Sequence, residues 1–166
     1  MSVDLGGRRI IKKKKALLES RRADRVERLN AAVIEYSNDA ILTHTLDGLV
    51  TTWNPAATAM LGYPAEERIG RPVHDLCGTE VDESAEIFAR VRAGKTVEHF
   101  ETRLRSRDGR RIDVSITLSP IRDPTGAIVG ISTILRDITE NRQIFDALRQ
   151  SEEMRRVARD SARAGP

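Results

Sequence analysis

The segment from Ile112 to Ser119 limits the possible folds of this chain more than any other feature of the sequence. Apolar and polar residues alternate through it without interruption: Ile112, Asp113, Val114, Ser115, Ile116, Thr117, Leu118 and Ser119. Because successive side chains of a strand point to opposite faces, this alternation predicts a strand with one apolar and one polar face. Such strands are typical of antiparallel sheets that helices cover on one side only.

Three turn signals divide the sequence into further strands. They are Leu46-Asp47-Gly48, Arg107-Asp108-Gly109-Arg110 and Asp123-Pro124-Thr125-Gly126. An Asp-Gly pair readily adopts the positive φ angles of a tight hairpin, and Pro with Gly marks the third turn. Besides the segment above, strands are predicted over residues 40–45, 49–53, 100–105 and 129–135. The sequence therefore predicts an α+β fold with a five-stranded antiparallel sheet.

Helices are predicted between the second and third strands. Asn54-Pro55 favours a helix start, because Asn caps free N–H groups and Pro fits the first helical position. Gly62 favours the end of this helix. A short helix is predicted from Pro64, and a longer one over residues 80–93. The narrow apolar face of the longer helix would comprise Ala85, Phe88, Ala89 and Val91.

Both ends of the chain are also predicted to be helical. From Ala23 onwards, apolar residues recur at spacings of three and four: Val26, Leu29, Val33 and Tyr36. This stripe predicts a dimer interface with a second copy, or a cover for the outer face of the sheet. A closing helix is predicted from Asp137, which can cap its first turn. Its apolar edge would comprise Ile144, Ala147 and Leu148.

Composition and charge restrict the function classes. No apolar run approaches the roughly 20 residues of a membrane span, and a lone Cys77 excludes an internal disulfide and fits a reducing cytoplasm. Aromatic residues form 4% of the chain, which leaves little for stacking on nucleic-acid bases. Residues 1–28 carry a net charge of +6 and the rest of the chain −3. This basic segment could attract the phosphates of nucleic acid or anionic lipid, or be a solvated helix without a partner.

Eight short motifs follow one another in a fixed order. They are Ser37-Asn38-Asp39-Ala40-Ile41, Leu46-Asp47-Gly48, Trp53-Asn54-Pro55-Ala56-Ala57, Leu61-Gly62-Tyr63, Arg107-Asp108-Gly109-Arg110, Ser119-Pro120-Ile121-Arg122-Asp123, Gly126-Ala127-Ile128-Val129-Gly130 and Arg136-Asp137-Ile138-Thr139-Glu140. In this order and at this spacing, residues 30–140 resemble the PAS domain with its PAC motif, a small cytoplasmic sensor module of bacterial signalling proteins. The sequence departs from the family at His44-Thr45, since many members have an acid where Thr45 stands.

The resemblance implies a sheet of order 2-1-5-4-3, with helices on one face that enclose a cavity. In such modules an internal ligand or a partner alters the sheet. The closing helix, anchored at Asp137, Ile138 and Thr139, then carries the change to an output domain. That output domain would be a histidine kinase, a cyclic-dinucleotide enzyme or a similar protein, in the same chain or in another. The domains expected are a basic extension over 1–23, the PAS domain with its N-terminal helix over 24–138, and an exit helix over 139–166.

The end of the chain carries a further resemblance. Residues 146–153, which read Asp-Ala-Leu-Arg-Gln-Ser-Glu-Glu, are similar to linkers that join one PAS repeat to the next domain. We therefore expect the chain to be a fragment, a truncated product or a sensor without an attached effector.

The sequence gives no strong signal for a cofactor or for catalysis. Haem-binding relatives carry a His on the long central helix, where Ser84-Ala85-Glu86-Ile87-Phe88 has none, so we expect no haem. Val73 stands where light-oxygen-voltage domains have their reactive Cys, so a flavin could be held only without a Cys adduct. His44, His74 and His99 show no metal-ligand spacing. No nucleophile on a sharp turn, phosphate loop or kinase motif is recognisable, so we expect a non-enzymatic protein.

The remaining candidate site is a small cavity between the sheet and the helices, either filled by side chains or occupied by an unknown small molecule. Its predicted lining comprises Ile41, Thr43, Met60, Phe88, Val91, Phe100, Thr102, Val114, Ile116, Ile131 and Thr133. Three of these residues are threonines, and a buried hydroxyl requires a partner that a polar ligand or water could supply. We expect a cytoplasmic sensor that acts as a dimer. The alternative is an adaptor that binds nucleic acid or an anionic membrane through the basic N-terminal segment.

Overall fold

The computed structural model describes residues 5–76 and 81–165, so Cys77 lies outside the described residues. Its elements, in chain order, are α1 (Leu5–Glu35), β1 (Ala40–His44), β2 (Val50–Trp53), α2 (Pro55–Leu61), α3 (Ala65–Arg68), a 3-10 helix (Val73–Leu76), α4 (Val81–Arg92), β3 (Val97–Arg105), β4 (Arg111–Arg122), β5 (Ile128–Asp137) and α5 (Thr139–Arg163). The chain divides into two compact units between Ser37 and Asn38.

The second unit contains one five-stranded sheet in the order β2-β1-β5-β4-β3, and all neighbouring strands are antiparallel. This arrangement confirms the predicted fold class and strand order. The central strand β5 approaches β1 closely, since a Cβ atom on Gly130 would lie 3.0 Å from the carbonyl oxygen of His44. Only a residue without a side chain fits this position without a shift of the backbone.

Helix α2 begins and ends as its sequence predicts. The side chain of Asn54 accepts a hydrogen bond from the N–H of Ala57, and Pro55 occupies the first turn. Gly62 ends the helix with a φ angle of 79°, which a residue without Cβ adopts at no steric cost. The Asn54 side chain also accepts from the N–H of Ile41 and donates to the carbonyl of Asp39. The cap therefore ties α2 to the start of β1.

Helix α1 begins at Leu5, well before the predicted start at Ala23. Lys and Arg have high helix propensity and no proline interrupts the segment, so the charged residues extend the helix. None of its residues is buried. The predicted dimer stripe is exposed along its whole length: Val26, Leu29, Val33 and Tyr36.

The core lies between one face of the sheet and helices α2 to α4. Its strand residues include Leu42, Val114, Leu118, Ile131 and Leu135, and its helix residues include Ala57, Leu61, Ile87 and Val91. Among residues 85–92 of α4, Ile87 and Val91 are buried, whereas the predicted core residues Ala85 and Ala89 are exposed. Burial of the larger Ile side chain removes more apolar area from water than burial of Ala, which decides the rotation of this helix.

No helix in the described ranges combines the length and the apolar character that crossing a bilayer requires.

Candidate functional site

Strand β1 presents a different face to the core from the one predicted. Ala40, Leu42 and His44 are buried, and they pair with Leu135, Thr133 and Ile131 on the same face of the sheet. Ile41 and Thr43 pair with Ile134 and Ser132 on the opposite face. The prediction that Ile41 and Thr43 line the core is therefore wrong. Either face of this strand carries a large apolar side chain, Ile41 on one and Leu42 on the other. Pairing with β5, rather than the local pattern, therefore decides which face lies in the core.

Thr43 lies on the outer face within a small group of hydroxyl side chains. Its Oγ1 lies 2.7 Å from the hydroxyl oxygen of Thr51 and 2.7 Å from that of Thr52, both on β2. The backbone N–H of Thr43 also donates to the hydroxyl of Thr52. Contacts of this kind across neighbouring strands stabilise the β1–β2 pair, and they give the Thr43 hydroxyl partners within the protein.

The other nine predicted lining residues lie at or beside the core. Five of them are buried: Val91, Val114, Ile116, Ile131 and Thr133. Four are half-buried: Met60, Phe88, Phe100 and Thr102. Phe100 and Thr102 share the core face of β3 with their partners Ile116 and Val114 on β4. The sheet and the helices therefore bring these nine residues to the same side of the domain.

A polar pair joins β1 to β5 inside this core. The Nε2 atom of His44 lies 3.3 Å from the hydroxyl oxygen of Thr133, and its Nδ1 atom lies 3.1 Å from the carbonyl oxygen of Thr45. Because a carbonyl oxygen only accepts, Nδ1 carries the proton of the neutral ring and Nε2 accepts from the Thr133 hydroxyl. The hydroxyl that could have required a polar ligand thus has a protein partner.

The surroundings of His44 keep its ring neutral. Burial lowers the pKa of His44 from the usual 6.5, and the positive charge of Arg92 lowers it further, against an opposing effect of the hydrogen bond to Thr45. The ring also meets Phe88 edge to face at 5.5 Å between centroids. His44 is therefore a neutral, hydrogen-bonded residue in contact with two of the predicted lining residues.

The sequence did not indicate His44 as a core residue, because the predicted core face of β1 was that of Ile41 and Thr43, which places His44 on the opposite face. One signal could have found it. Ala40, Leu42 and His44 occupy alternate positions of the strand, so a register with Leu42 inside also places His44 inside.

The other two histidines lie outside the core. His74 is exposed beside Asp75, and His99 is exposed at a bulge of β3 with a φ angle of 53°. Within residues 5–76 and 81–165, no group of three or more His, Cys, Asp or Glu residues could hold a metal ion.

The predicted relay residues lie at a junction between β4 and α5. The N–H of Ile138 donates to the carbonyl of Asp113 over 2.9 Å, and the N–H of Asp113 donates to the hydroxyl of Thr139 over 3.0 Å. The carboxylate of Asp137 accepts from the N–H of Thr139 over 2.9 Å, but Ile138 rather than the predicted Asp137 occupies the N-cap position of α5. The first residues of α5 are therefore held directly by β4.

Charged side chains reinforce this junction. One carboxylate oxygen of Asp113 lies 2.9 Å from Nε of Arg103 on β3 and 3.3 Å from Nη1 of Arg142 on α5. Nη2 of Arg142 also lies 3.5 Å from a carboxylate oxygen of Glu101 on β3. Asp113 thus links β3 and β4 to α5. The alternating pattern of β4 predicts that Asp113 lies on the polar face but does not predict these contacts.

Known proteins with similar sequences include two bacterial proteins. The chain is 30% identical to the signal transduction histidine-protein kinase AtoS of Escherichia coli, over 76% of this chain and 20% of the kinase. It is 31% identical to the biofilm dispersion protein BdlA of Pseudomonas aeruginosa, over 55% of this chain and 22% of that protein. The chain thus spans about a fifth of the length of these relatives.

Among solved structures, the crystal structure of the PAS domain of a Colwellia psychrerythraea protein is similar, with a TM-score of 0.63 and 29% sequence identity. The match covers 69% of this chain and 98% of that domain. The family model for the PAS domain matches residues 38–140, which are more than half of the chain and include the whole sheet and helices α2 to α4. With the strand order, the core and this match in agreement, the chain belongs to the PAS domain family.

Proposed function

We propose that this chain is a cytoplasmic, non-enzymatic sensor module that transmits a change in its sheet to α5. In this proposal a small molecule or a partner protein alters the packing of the core. The change reaches the first turn of α5 through β4, and an output domain such as a histidine kinase or a cyclic-dinucleotide enzyme responds to it. The match to a signal transduction histidine kinase supports an output domain of this class.

The register of β4 is the observation that carries the proposal. Val114 is fully buried in the core and pairs with Asp137, whose carboxylate accepts from the N–H of Thr139 at the start of α5. Its neighbour Asp113 points to the other face and holds Ile138, Thr139 and Arg142. A shift of β4 that begins at a core side chain therefore acts directly on the start of the helix.

Hydrogen exchange of the full chain tests the transmission. Val114→Ala leaves a small void beside the junction and should speed amide exchange over residues 139–150. The matched control is Val50→Ala, because Val50 is an equally buried valine but lies on β2, three strand positions from β4 in the sheet order. Val50→Ala should leave amide exchange over residues 139–150 unchanged when the two variants are compared at equal free energy of unfolding.

Two further variants separate the role of the junction from general destabilisation. Arg142→Gln and Arg103→Gln each remove one ion pair to the same oxygen of Asp113, but only Arg142 belongs to α5. We expect faster exchange at the start of α5 in Arg142→Gln alone. Equal exchange in the two valine variants, or in the two arginine variants, would contradict transmission through this junction.

We propose that the module acts as a homodimer through the stripe formed by Val26, Leu29 and Val33 of α1 and by Tyr36, which directly follows the helix. Its side chains are 56 to 83% exposed at a spacing typical of two-stranded coiled coils. Replacement of both Leu29 and Val33 by Glu should convert dimers to monomers in sedimentation experiments. A dimer that survives both substitutions uses another surface.

The proposed ligand contacts are the nine lining residues at the core together with His44. The side chains of Thr133 and His44 already form a hydrogen bond with each other. We therefore expect a small ligand that displaces side chains rather than one that enters a large open cavity. An absorption spectrum and native mass spectrometry of the purified protein test this point. A yellow protein with the mass of a flavin would identify flavin held without a Cys adduct.

A further inference from the structure

The N-terminal half of α1 carries a charged surface that the proposed function does not use. Between Leu5 and Leu18 every charged residue is basic: Arg8, Arg9, Lys12, Lys13, Lys14 and Lys15. The first acidic residue of the helix is Glu19. These like charges lie within about four helical turns, so they produce a strong positive potential around this half of the helix.

Large apolar residues lie on one side of the same half. Ile10 and Leu17 are seven residues apart, as are Ile11 and Leu18, so each pair lies on one line along the helix to within about 20°. Because neighbours in sequence differ by about 100°, all four residues fall within an arc of roughly 120°. Their side chains are 53 to 67% exposed. We call these four residues the apolar arc.

The basic residues lie mostly on the other side. Arg8, Arg9 and Lys12 fall opposite the apolar arc, and Lys13 and Lys15 lie near its two borders. Lys14 lies inside the arc, where its four-carbon stem can follow an apolar surface while the ammonium group reaches a polar layer. The N-terminal half of α1 is therefore a basic amphipathic helix. It precedes Ala23, where the apolar pattern of the predicted dimer stripe begins.

The apolar arc and the proposed dimer stripe require different binding partners. The stripe from Val26 to Tyr36 is centred roughly 80° around the helix from the apolar arc. One straight partner helix that follows the stripe therefore cannot also cover the arc. Three arginines, Arg21, Arg22 and Arg25, separate the two surfaces along the chain.

We propose that the N-terminal half of α1 binds the surface of an anionic membrane. The helix lies in the plane of the interface, with the apolar arc in the acyl boundary and Lys13 and Lys15 at the level of the lipid phosphates. Nucleic acid fits this surface less well. It would engage the basic residues but leave four large aliphatic side chains in water, and residues 5–35 contain no aromatic side chain to stack on bases.

Vesicle binding by the full chain tests the proposal. The protein should co-sediment with vesicles of phosphatidylcholine and phosphatidylserine, and weakly or not at all with phosphatidylcholine alone. Leu17→Gln should weaken binding on the order of tenfold, since it removes one apolar anchor. The matched control is Leu5→Gln, which changes an exposed leucine on the basic side and should leave binding unchanged. Both positions are exposed, so neither substitution removes a core contact.

Two substitutions of Lys14 distinguish a membrane from a nucleic acid. Lys14→Leu and Lys14→Gln remove the same charge, but only leucine completes the apolar arc. We expect Lys14→Leu to bind anionic vesicles more tightly than Lys14→Gln, and both variants to bind duplex DNA equally. Failure to bind the phosphatidylserine vesicles, or binding that Leu17→Gln leaves unchanged, overturns the proposal. Preference for the duplex together with equal vesicle binding by the two Lys14 variants assigns the segment to nucleic acid instead.

Discussion

The core pair of His44 and Thr133 and the junction around Asp113 use similar polar contacts in opposite surroundings. His44 is 1% exposed and Thr133 is 6% exposed, so neither group can exchange its partner for water. At the junction, the side chains of Asp113 and Arg142 are 20 and 41% exposed. A buried donor or acceptor without a partner costs far more than an exposed ion pair that opens to water.

This difference suits the two regions to different tasks. The buried pair joins β1 to β5, and its hydrogen bond has no replacement by water if the two strands move apart. The junction can open and close at low cost, because water replaces the contacts of Arg103 and Arg142 with Asp113. In the proposed function, a helix held in this way would respond to small shifts of β4, whereas the pair of His44 and Thr133 would resist movement of β1 against β5. Substitutions in the two regions should therefore differ in their effect on the free energy of unfolding.

The largest effect is expected at Leu42. Its side chain is 1% exposed, so Leu42→Ala should lower the free energy of unfolding by about 2–5 kcal/mol. Ile41→Ala, on the opposite face of the same strand, should cost clearly less. Chemical denaturation measures both variants. A larger loss at Ile41 than at Leu42 would reverse the assignment of the two faces.

Thr133→Val should have the next largest effect. Valine keeps the shape of the side chain but leaves Nε2 of His44 without its donor, which should cost about 1–3 kcal/mol of unfolding free energy. In a His44→Leu background the same substitution should cost less, because the acceptor is already gone. Additive losses in this double-mutant cycle would mean that the two side chains do not interact.

The core pair should also make stability depend on pH. Since the pKa of His44 is lowered in the folded state, the unfolded chain binds this proton first as the pH falls below 6.5. Stability should therefore decrease from that pH down to the folded pKa, by at most about 1.4 kcal/mol per pH unit. Denaturation of the wild type and His44→Leu at several pH values measures the difference. An identical pH dependence of the two proteins would show that His44 does not contribute.

The smallest effect is expected at the junction. Thr139→Val removes the hydroxyl that accepts from the N–H of Asp113, and should cost about 0.5–1.5 kcal/mol. Exchange at the first amides of α5 should nevertheless increase, because that contact holds the helix start. Thr139→Ser keeps the hydroxyl and is the control. A loss of stability as large as that of Leu42→Ala would contradict the contrast between the two regions.

Much of the fold followed from local sequence. The alternating run of β4, the Asp-Gly turns and the ends of α2 are set by interactions among neighbouring residues, and the structure has them where the sequence predicts them. The motifs then gave the strand order, which no single strand encodes. The face of β1 could not be read in the same way, because Ile41 and Leu42 are both large and apolar. Pairing of Leu42 with Thr133 on β5 places Leu42 inside.

The sequence by itself determined the elements, the turns, the family and the separation of a basic N-terminal segment from a mildly acidic domain. Tertiary structure decided which residues meet: His44 with Thr133, and Asp113 with Thr139 and Arg142. The physical reason is the separation along the chain between the residues that interact. Helix caps, turns and alternation depend on groups a few residues apart, whereas these contacts join residues 26 to 89 positions apart and exist only after the strands have paired.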